Sequence, residues 1–186
     1  MDKQIEIMRH SCSHVMAAAV QKLFPGVKFA IGPIIENGFY YDFDLSSFAP
    51  DGAMEDLPKN LVPEDLPKIE KEMKKIIKKN LLFIKKELKV SEAIKLFKKL
   101  NQSYKIELIE ELKKQGEKSV SIYQVGDFID LCRGPHIKST KKISAFKLTK
   151  IAGAYWRGNE KNKMLQRIYG LAFSKIGRAH VELQSR

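Results

Sequence analysis

Apolar residues recur at Val15, Met16, Ala18, Ala19, Val20 and Leu23 within the stretch Ile7 to Phe24, the spacing of a helix with one buried face. Pro25 and Gly26 stop it, since proline cannot continue the hydrogen-bonding pattern and glycine takes the conformations that follow a helix end. A two-residue period then takes over, and Val27 to Ile31 and Gly38 to Asp44 predict strands joined by a turn-rich connection over residues 32–37. Residues 46–60 are polar and contain proline, which predicts a loop. Pro63, Glu64 and Asp65 have the form of a helix start, and Ile69, Met73, Ile76 and Ile77 give a helical stripe to about Asn80. Leu82 to Val90 predicts a strand, Ser91 the cap of a short helix through Leu100, and Tyr104 to Gln115 a further amphipathic helix.

Beyond these, Ser119 to Val125 and Phe128 to Cys132 are β-type runs separated by Gly126-Asp127, a hairpin signal. Ala145 to Ala154 and Met164 to Tyr169 predict two more strands around a turn at residues 155–159. The mixture predicts an α+β fold, an antiparallel sheet with packed helices. Residues 1–175 are expected to form one domain, with a Lys-rich helical insertion at about 63–115 packed against the sheet.

The chain has 186 residues and a formal charge of +12, enough length for a real core. Lysine and arginine neutralise phosphates, so the charge points to a polyanionic partner, but only six of the 34 basic residues are arginine. A lysine-heavy composition also arises from codon bias. Between residues 68 and 99 twelve lysines face only Glu70, Glu72, Glu87 and Glu92. A run of that kind is either a solvated helix face or a phosphate-facing surface. The two cysteines are 120 positions apart and no signal-like apolar stretch follows Met1, so a disulfide framework is not expected and a cytoplasmic setting is. No run approaches the 18 or more apolar residues needed to cross a bilayer.

Histidine and cysteine concentrate at two places. His10-Ser11-Cys12-Ser13-His14 and Cys132-Arg133-Gly134-Pro135-His136 hold three of the four histidines and both cysteines. His10 and His14 share a helical face, whereas Gly134-Pro135 keeps Cys132 and His136 off a regular helix and on a loop after a strand. Three chemistries fit. His10, His14, Cys132 and His136 make a tetrahedral zinc set. Alternatively, histidines relay protons to and from a water beside a lysine or backbone donor, with Asp130 orienting a histidine or the water. In the third, Cys132 is a nucleophile with a histidine base. Against all three stands the plain alternative of separate, satisfied core residues.

These words, together with Ala30-Ile31-Gly32-Pro33, Glu36 to Asp44, Asp130 to His136, Gly153 to Gly158 and Asn162 to Gly170, resemble the threonyl-tRNA synthetases of bacterial type, in order from about Met8 to Phe173. The resemblance covers the editing region, the second additional domain shared with alanyl-tRNA synthetases. It implies hydrolysis of tRNA(Thr) wrongly esterified with serine, a contact with the tRNA acceptor end, and His10, His14, Lys105, Asp130, Cys132 and His136 as the catalytic group. Lys105 lies in Ser103-Tyr104-Lys105, where its cation is expected to touch the terminal adenosine or the ester carbonyl, with water as nucleophile. No cofactor is expected in this chain. A free-standing editing protein of the alanyl type, with zinc on His10, His14, Cys132 and His136, is the enzymatic alternative, and a tRNA-binding module with a decayed site is the non-catalytic one. The family's ATP-dependent aminoacylation domain, with its own zinc, has no counterpart in these residues. The remainder of a synthetase and a homodimer are the expected partners. Residues 176–186 resemble nothing in the family and read as a non-native or disordered tail of the kind a translated sequencing adapter leaves.

Overall fold

A computed structural model describes residues 3–46 and 60–173. The loop predicted at residues 46–60 falls almost wholly outside them, as does the tail at 176–186. In chain order the described elements are α1 (Lys3–Leu23), β1 (Lys28–Phe29), β2 (Ile34–Ile35), β3 (Gly38–Asp44), α2 (Leu66–Lys78), β4 (Ile84–Lys89), α3 (Val90–Lys99), α4 (Ser103–Lys114), β5 (Ser119–Val125), β6 (Phe128–Leu131), β7 (Ala145–Tyr155) and β8 (Met164–Phe173). One sheet runs β1-β3-β8-β7 with β2 also on β3, and the other runs β4-β5-β6. Every pairing is antiparallel, and the fold is α+β as the periodicities predict.

α1 is the central beam. Cys12, Val15, Met16, Ala17, Ala19 and Val20 are wholly buried, and its small residues let it lie close to the large sheet. Against it β3 turns Phe39, Tyr41 and Phe43, all fully buried. Each large side chain taken out of water contributes about 1.5–3 kcal/mol, so this seam anchors the molecule. The opposite face of β3 carries Asp42, which stays buried because Arg167 of β8 covers it with a two-pronged ion pair, Nε to Oδ1 at 2.6 Å and Nη2 to Oδ2 at 2.8 Å.

Residues 63–115 do not pack as one insertion. The Ile69, Met73 and Ile76 stripe of α2 enters the same core as α1, while Val90, Ala93 and Phe97 of α3 and Ile109 of α4 form a second core with Val120 and Ile122 over the small sheet. Two further differences from the sequence are local. The connection over residues 32–37 contains a tight hairpin, Ile34 opposite Phe39 and Ile35 opposite Gly38, closed through Asn37 at φ 59°, a conformation asparagine tolerates. Ser91 does not cap α3. The cap is Lys89, two residues earlier, and the Glu92 carboxylate accepts the Lys89 N–H at 3.0 Å, which leaves Ser91 inside the first turn.

The two sheets are joined at the start of α4. Gln102, 8% exposed, accepts from Phe29 N at 2.8 Å and donates to Val27 O at 3.0 Å, and the Tyr104 hydroxyl donates to Asp44 at 2.7 Å. This clamp fixes the position of the next residue, Lys105. Among the described residues no helix is long and apolar enough to cross a membrane.

Candidate active site

His10 and His14 project from one face of α1 toward the loop that follows β6. That loop holds its shape through Gly134, at φ 73°, where an added Cβ would collide with the Tyr123 hydroxyl. Its N–H donates to Cys132 Sγ at 3.2 Å. His136 is held between Phe83, stacked at 4.9 Å between ring centroids, and Tyr123, edge-on at 4.5 Å. The His136 ring lies 4.2 Å from the rings of both His10 and His14. Cys132 Sγ sits 3.4 Å from His10 Nε2 and 3.3 Å from His136 Nε2. The two sequence clusters therefore form one site, with a ligand atom of each of His10, His14, Cys132 and His136 within 4.8 Å of the others.

Hydrogen bonding assigns two tautomers. His10 Nδ1 faces the Pro135 carbonyl at 3.2 Å, which can only accept, so Nδ1 carries the proton. Ser11 Oγ donates to Ile7 O and accepts from Ile137 N, so its contact at 3.0 Å with His136 Nδ1 is also a donation from the ring. Both rings thus turn an Nε2 lone pair toward Cys132 Sγ. One thiol proton serves only one of them.

Behind this group lies a closed, buried charge network. Asp130 and Lys105 are each 2% exposed. The Lys105 ammonium donates to Ala30 O at 2.6 Å and to the Tyr41 hydroxyl at 3.0 Å, and forms an ion pair at 2.6 Å with Asp130 Oδ1, a buried oxygen that accepts no hydrogen bond. Tyr41 donates onward to Asp130 Oδ2 at 2.6 Å, and His14 Nε2 stands 3.4 Å from the same oxygen. Lys105 and Asp130 fix Tyr41 and the floor beneath His14.

Burial decides the protonation states. Desolvation holds the His10 imidazole below its ordinary value against the Pro135 carbonyl and the Asp130 charge. It holds His14 well below, helped by His10 and Lys105. His136 is lowered by burial and by its two imidazole neighbours. Burial and the Asp130 charge push the Cys132 thiol up to about 12, so at neutral pH the site holds three neutral imidazoles and a thiol. A neutral thiol is a poor nucleophile, which removes the support for the Cys132 nucleophile chemistry. The lowered imidazoles also set a pH dependence of stability. The unfolded chain takes up these protons below about pH 6.5 while the folded chain does not, so stability is present above that value and lost as pH falls. The expected loss approaches about 1.4 kcal/mol per pH unit for each fully buried imidazole. Thermal melts should show a midpoint clearly lower at pH 5 than at pH 7.5, and equal midpoints would contradict the assignment.

The residues present also fit a zinc ion. Tetrahedral zinc with bonds of about 2.0 Å to nitrogen and 2.3 Å to sulfur separates its ligands by roughly 3.3–3.6 Å, and the two sulfur–nitrogen distances above match. His14 Nδ1 is buried without a hydrogen-bond partner, an acceptor that a cation or water would satisfy. Anchoring of Nδ1 protons by Pro135 O and Ser11 is the arrangement ligating histidines need.

Tyr41 and Ser11 were not singled out by the sequence. Tyr41 reads as one more inward aromatic of β3, although a buried hydroxyl signals a required partner. Ser11 sits within the first histidine cluster, and a serine on the buried face of a helix carries the same signal.

A helix carrying paired histidines, laid over an antiparallel sheet and meeting a Cys–His loop, defines a class. Residues 120–169 match the model of the threonyl and alanyl tRNA synthetase second additional domain, which takes in Asp130, Cys132 and His136. Among curated proteins the chain is 50% identical over 175 residues to a threonine–tRNA ligase of Geobacillus sp. (strain WCH70), across 94% of this chain and 25% of that protein. It is 53% identical over 170 residues to that of Clostridium novyi, across 91% and 24%, and 55% over 167 to that of Acetivibrio thermocellus, across 90% and 24%. The chain belongs to the bacterial threonine–tRNA ligase family and spans about a quarter of the length of these relatives.

Proposed function

We propose that this chain is the editing part of a threonine–tRNA ligase and hydrolyses serine from Ser-tRNA(Thr), with the tRNA acceptor end as its substrate contact. The convergence of three neutral imidazoles and one thiol within 4.8 Å carries this reading. Water is the nucleophile. A lone pair on His10 or His136 Nε2 takes its proton as the oxygen attacks the ester carbonyl, and a proton returned to the ribose oxygen releases free serine and intact tRNA. Imidazoles held below their ordinary values arrive unprotonated at neutral pH, the state a base needs. Such a site answers a selectivity problem: a synthetic pocket that accepts threonine cannot strongly exclude serine, which lacks one methyl, so a second and smaller sieve removes the error. The aminoacylating remainder of a synthetase, a homodimer and a cytoplasmic setting accompany this reading through the family. The test is deacylation of the two esters side by side, with faster release of serine from Ser-tRNA(Thr) than of threonine from Thr-tRNA(Thr). Equal rates would reject the selectivity, and salt-dependent tRNA binding without any hydrolysis would leave only a binding module.

The unpartnered His14 Nδ1 favours a second reading, a zinc-dependent site of the alanyl type on His10, His14, Cys132 and His136. A bound zinc would supply a water of lowered pKa. Elemental analysis of the purified chain and deacylation after chelator dialysis separate the two. Under the favoured reading the rate is unchanged by chelation. Stoichiometric zinc with a lost rate establishes the second.

A further inference from the structure

Three cavities open beside the His–Cys group, and their charges differ. The first, about 450 Å³ beside Cys132 and Arg133, is lined by Glu87, Glu111 and Glu117. The second, about 370 Å³ beside His10, has one cation and one anion, Lys3 and Glu6. The third, about 520 Å³, is bounded by His136, Lys138, Lys142 and an apolar wall that includes Ile5 and Met8, and no acidic side chain lines it.

This third cavity lies at the end of a run of lysines. The turn at residues 140–142 is tied to the last turn of α2, because Thr140 Oγ1 donates to Ile76 O at 3.2 Å and Thr140 N donates to Leu81 O at 2.8 Å. Phe83 N donates to Lys138 O at 3.1 Å, completing the tie. The end of α2 therefore adjoins the 140–142 turn, and Lys78, Lys141 and Lys142 are all exposed. The acids of the same helix are turned away from this role: Glu70 is held by Leu148 N and Lys147, and Glu72 by Lys22 and Lys75. Among the described residues Lys78, Lys79, Lys138, Lys141 and Lys142 have no carboxylate partner.

We propose that the cavity beside His136 is the mouth through which a single RNA strand reaches the site, with Lys138 and Lys142 on its phosphates and Lys78 continuing the track. The proposal rests on the hydrolytic reading for its choice of RNA. Charge decides among the three mouths, since the first sets Glu117 beside Glu87 and Glu111, which are paired with Lys85 and Arg157, the second balances Lys3 against Glu6, and only the third presents cations alone. Contacts of this kind are sequence-independent and give a defined salt dependence, each phosphate contact adding about 0.7–0.9 to the slope of log affinity against log salt.

Unacylated tRNA(Thr) is the probe, titrated against the full chain from about 50 to about 500 mM salt, one decade. The pair Lys138→Gln and Lys142→Gln is expected to weaken binding about tenfold and lower the salt slope by about 1.5. The charge-matched pair Lys95→Gln and Lys98→Gln, on α3 and lining none of these cavities, is expected to leave both unchanged. Equal losses in the two pairs, no loss in either, or no binding by the unaltered chain would overturn the proposal. Loss in the first pair alone, in a chain that fails to hydrolyse Ser-tRNA(Thr), would sustain this surface and reject the hydrolytic reading.

Discussion

Replacing His10 by alanine is expected to lower single-turnover release of serine from Ser-tRNA(Thr) by about 10³-fold, within the range that removal of a general base produces. His10 is the sharpest choice because it is partly exposed, so its loss perturbs packing less than that of His14, which is 2% exposed among aromatic rings. Its Nδ1 proton is fixed on the Pro135 carbonyl and its Nε2 lone pair is turned into the site. The thermal midpoint should shift little, and tRNA affinity should remain. An unchanged deacylation rate would remove His10 from the chemistry. A collapsed midpoint would show instead that the ring is chiefly a packing element.

Lys105→Met is expected to cost about 3–5 kcal/mol of stability, the usual result of leaving one buried charge without its partner. Asp130 would keep the Tyr41 hydroxyl but lose the ammonium at 2.6 Å. The same buried carboxylate stands 3.4 Å from His14 Nε2, so the substitution should disturb the site as well as the fold. For a domain of this size the loss corresponds to a fall of roughly 10–15 °C in thermal midpoint. A companion variant, Lys105→Met with Asp130→Leu, removes both charges and should recover part of that loss, because the penalty lies in the unpaired charge. Denaturant melts of the single and double variants measure it. A cost under about 1 kcal/mol for the single variant would mean that solvent reaches the pair.

Much of this arrangement is legible in local pattern. The alternating aromatics of β3 give the strand its observed bounds, Gly38–Asp44, and Gly126-Asp127 marks the hairpin between β5 and β6. Four-residue spacing places His10 and His14 on one face, and Gly134-Pro135 places Cys132 and His136 on a loop. What local pattern omits is set by distant partners. The Ile34–Ile35 hairpin is too short to show a period, and α3 starts where Glu92 reaches back to Lys89 rather than at a serine. The division of residues 63–115 between two cores depends on which surfaces α1 and the small sheet present. Tyr41 and Ser11 look like ordinary core and helix residues until Lys105 and His136 arrive beside them from 64 and 125 positions away. The lysine run shows the same limit from the other side. Its composition is visible, but that Glu70 is held by Leu148 N and Glu72 by Lys22 is a tertiary fact.

The dual duty of α1, as a central element of the core and as the wall that presents His10 and His14, limits how this chemistry can be moved. Grafting the four His and Cys side chains onto another scaffold would leave behind Ser11, the Pro135 carbonyl and the Lys105–Asp130–Tyr41 group that set their tautomers and tilt. The smallest portable unit is therefore a helix, the strand beneath it, the start of α4 and the β6 loop, which together draw on residues from His10 to His136. A protein engineer would have to transplant nearly the whole domain to transplant its pocket.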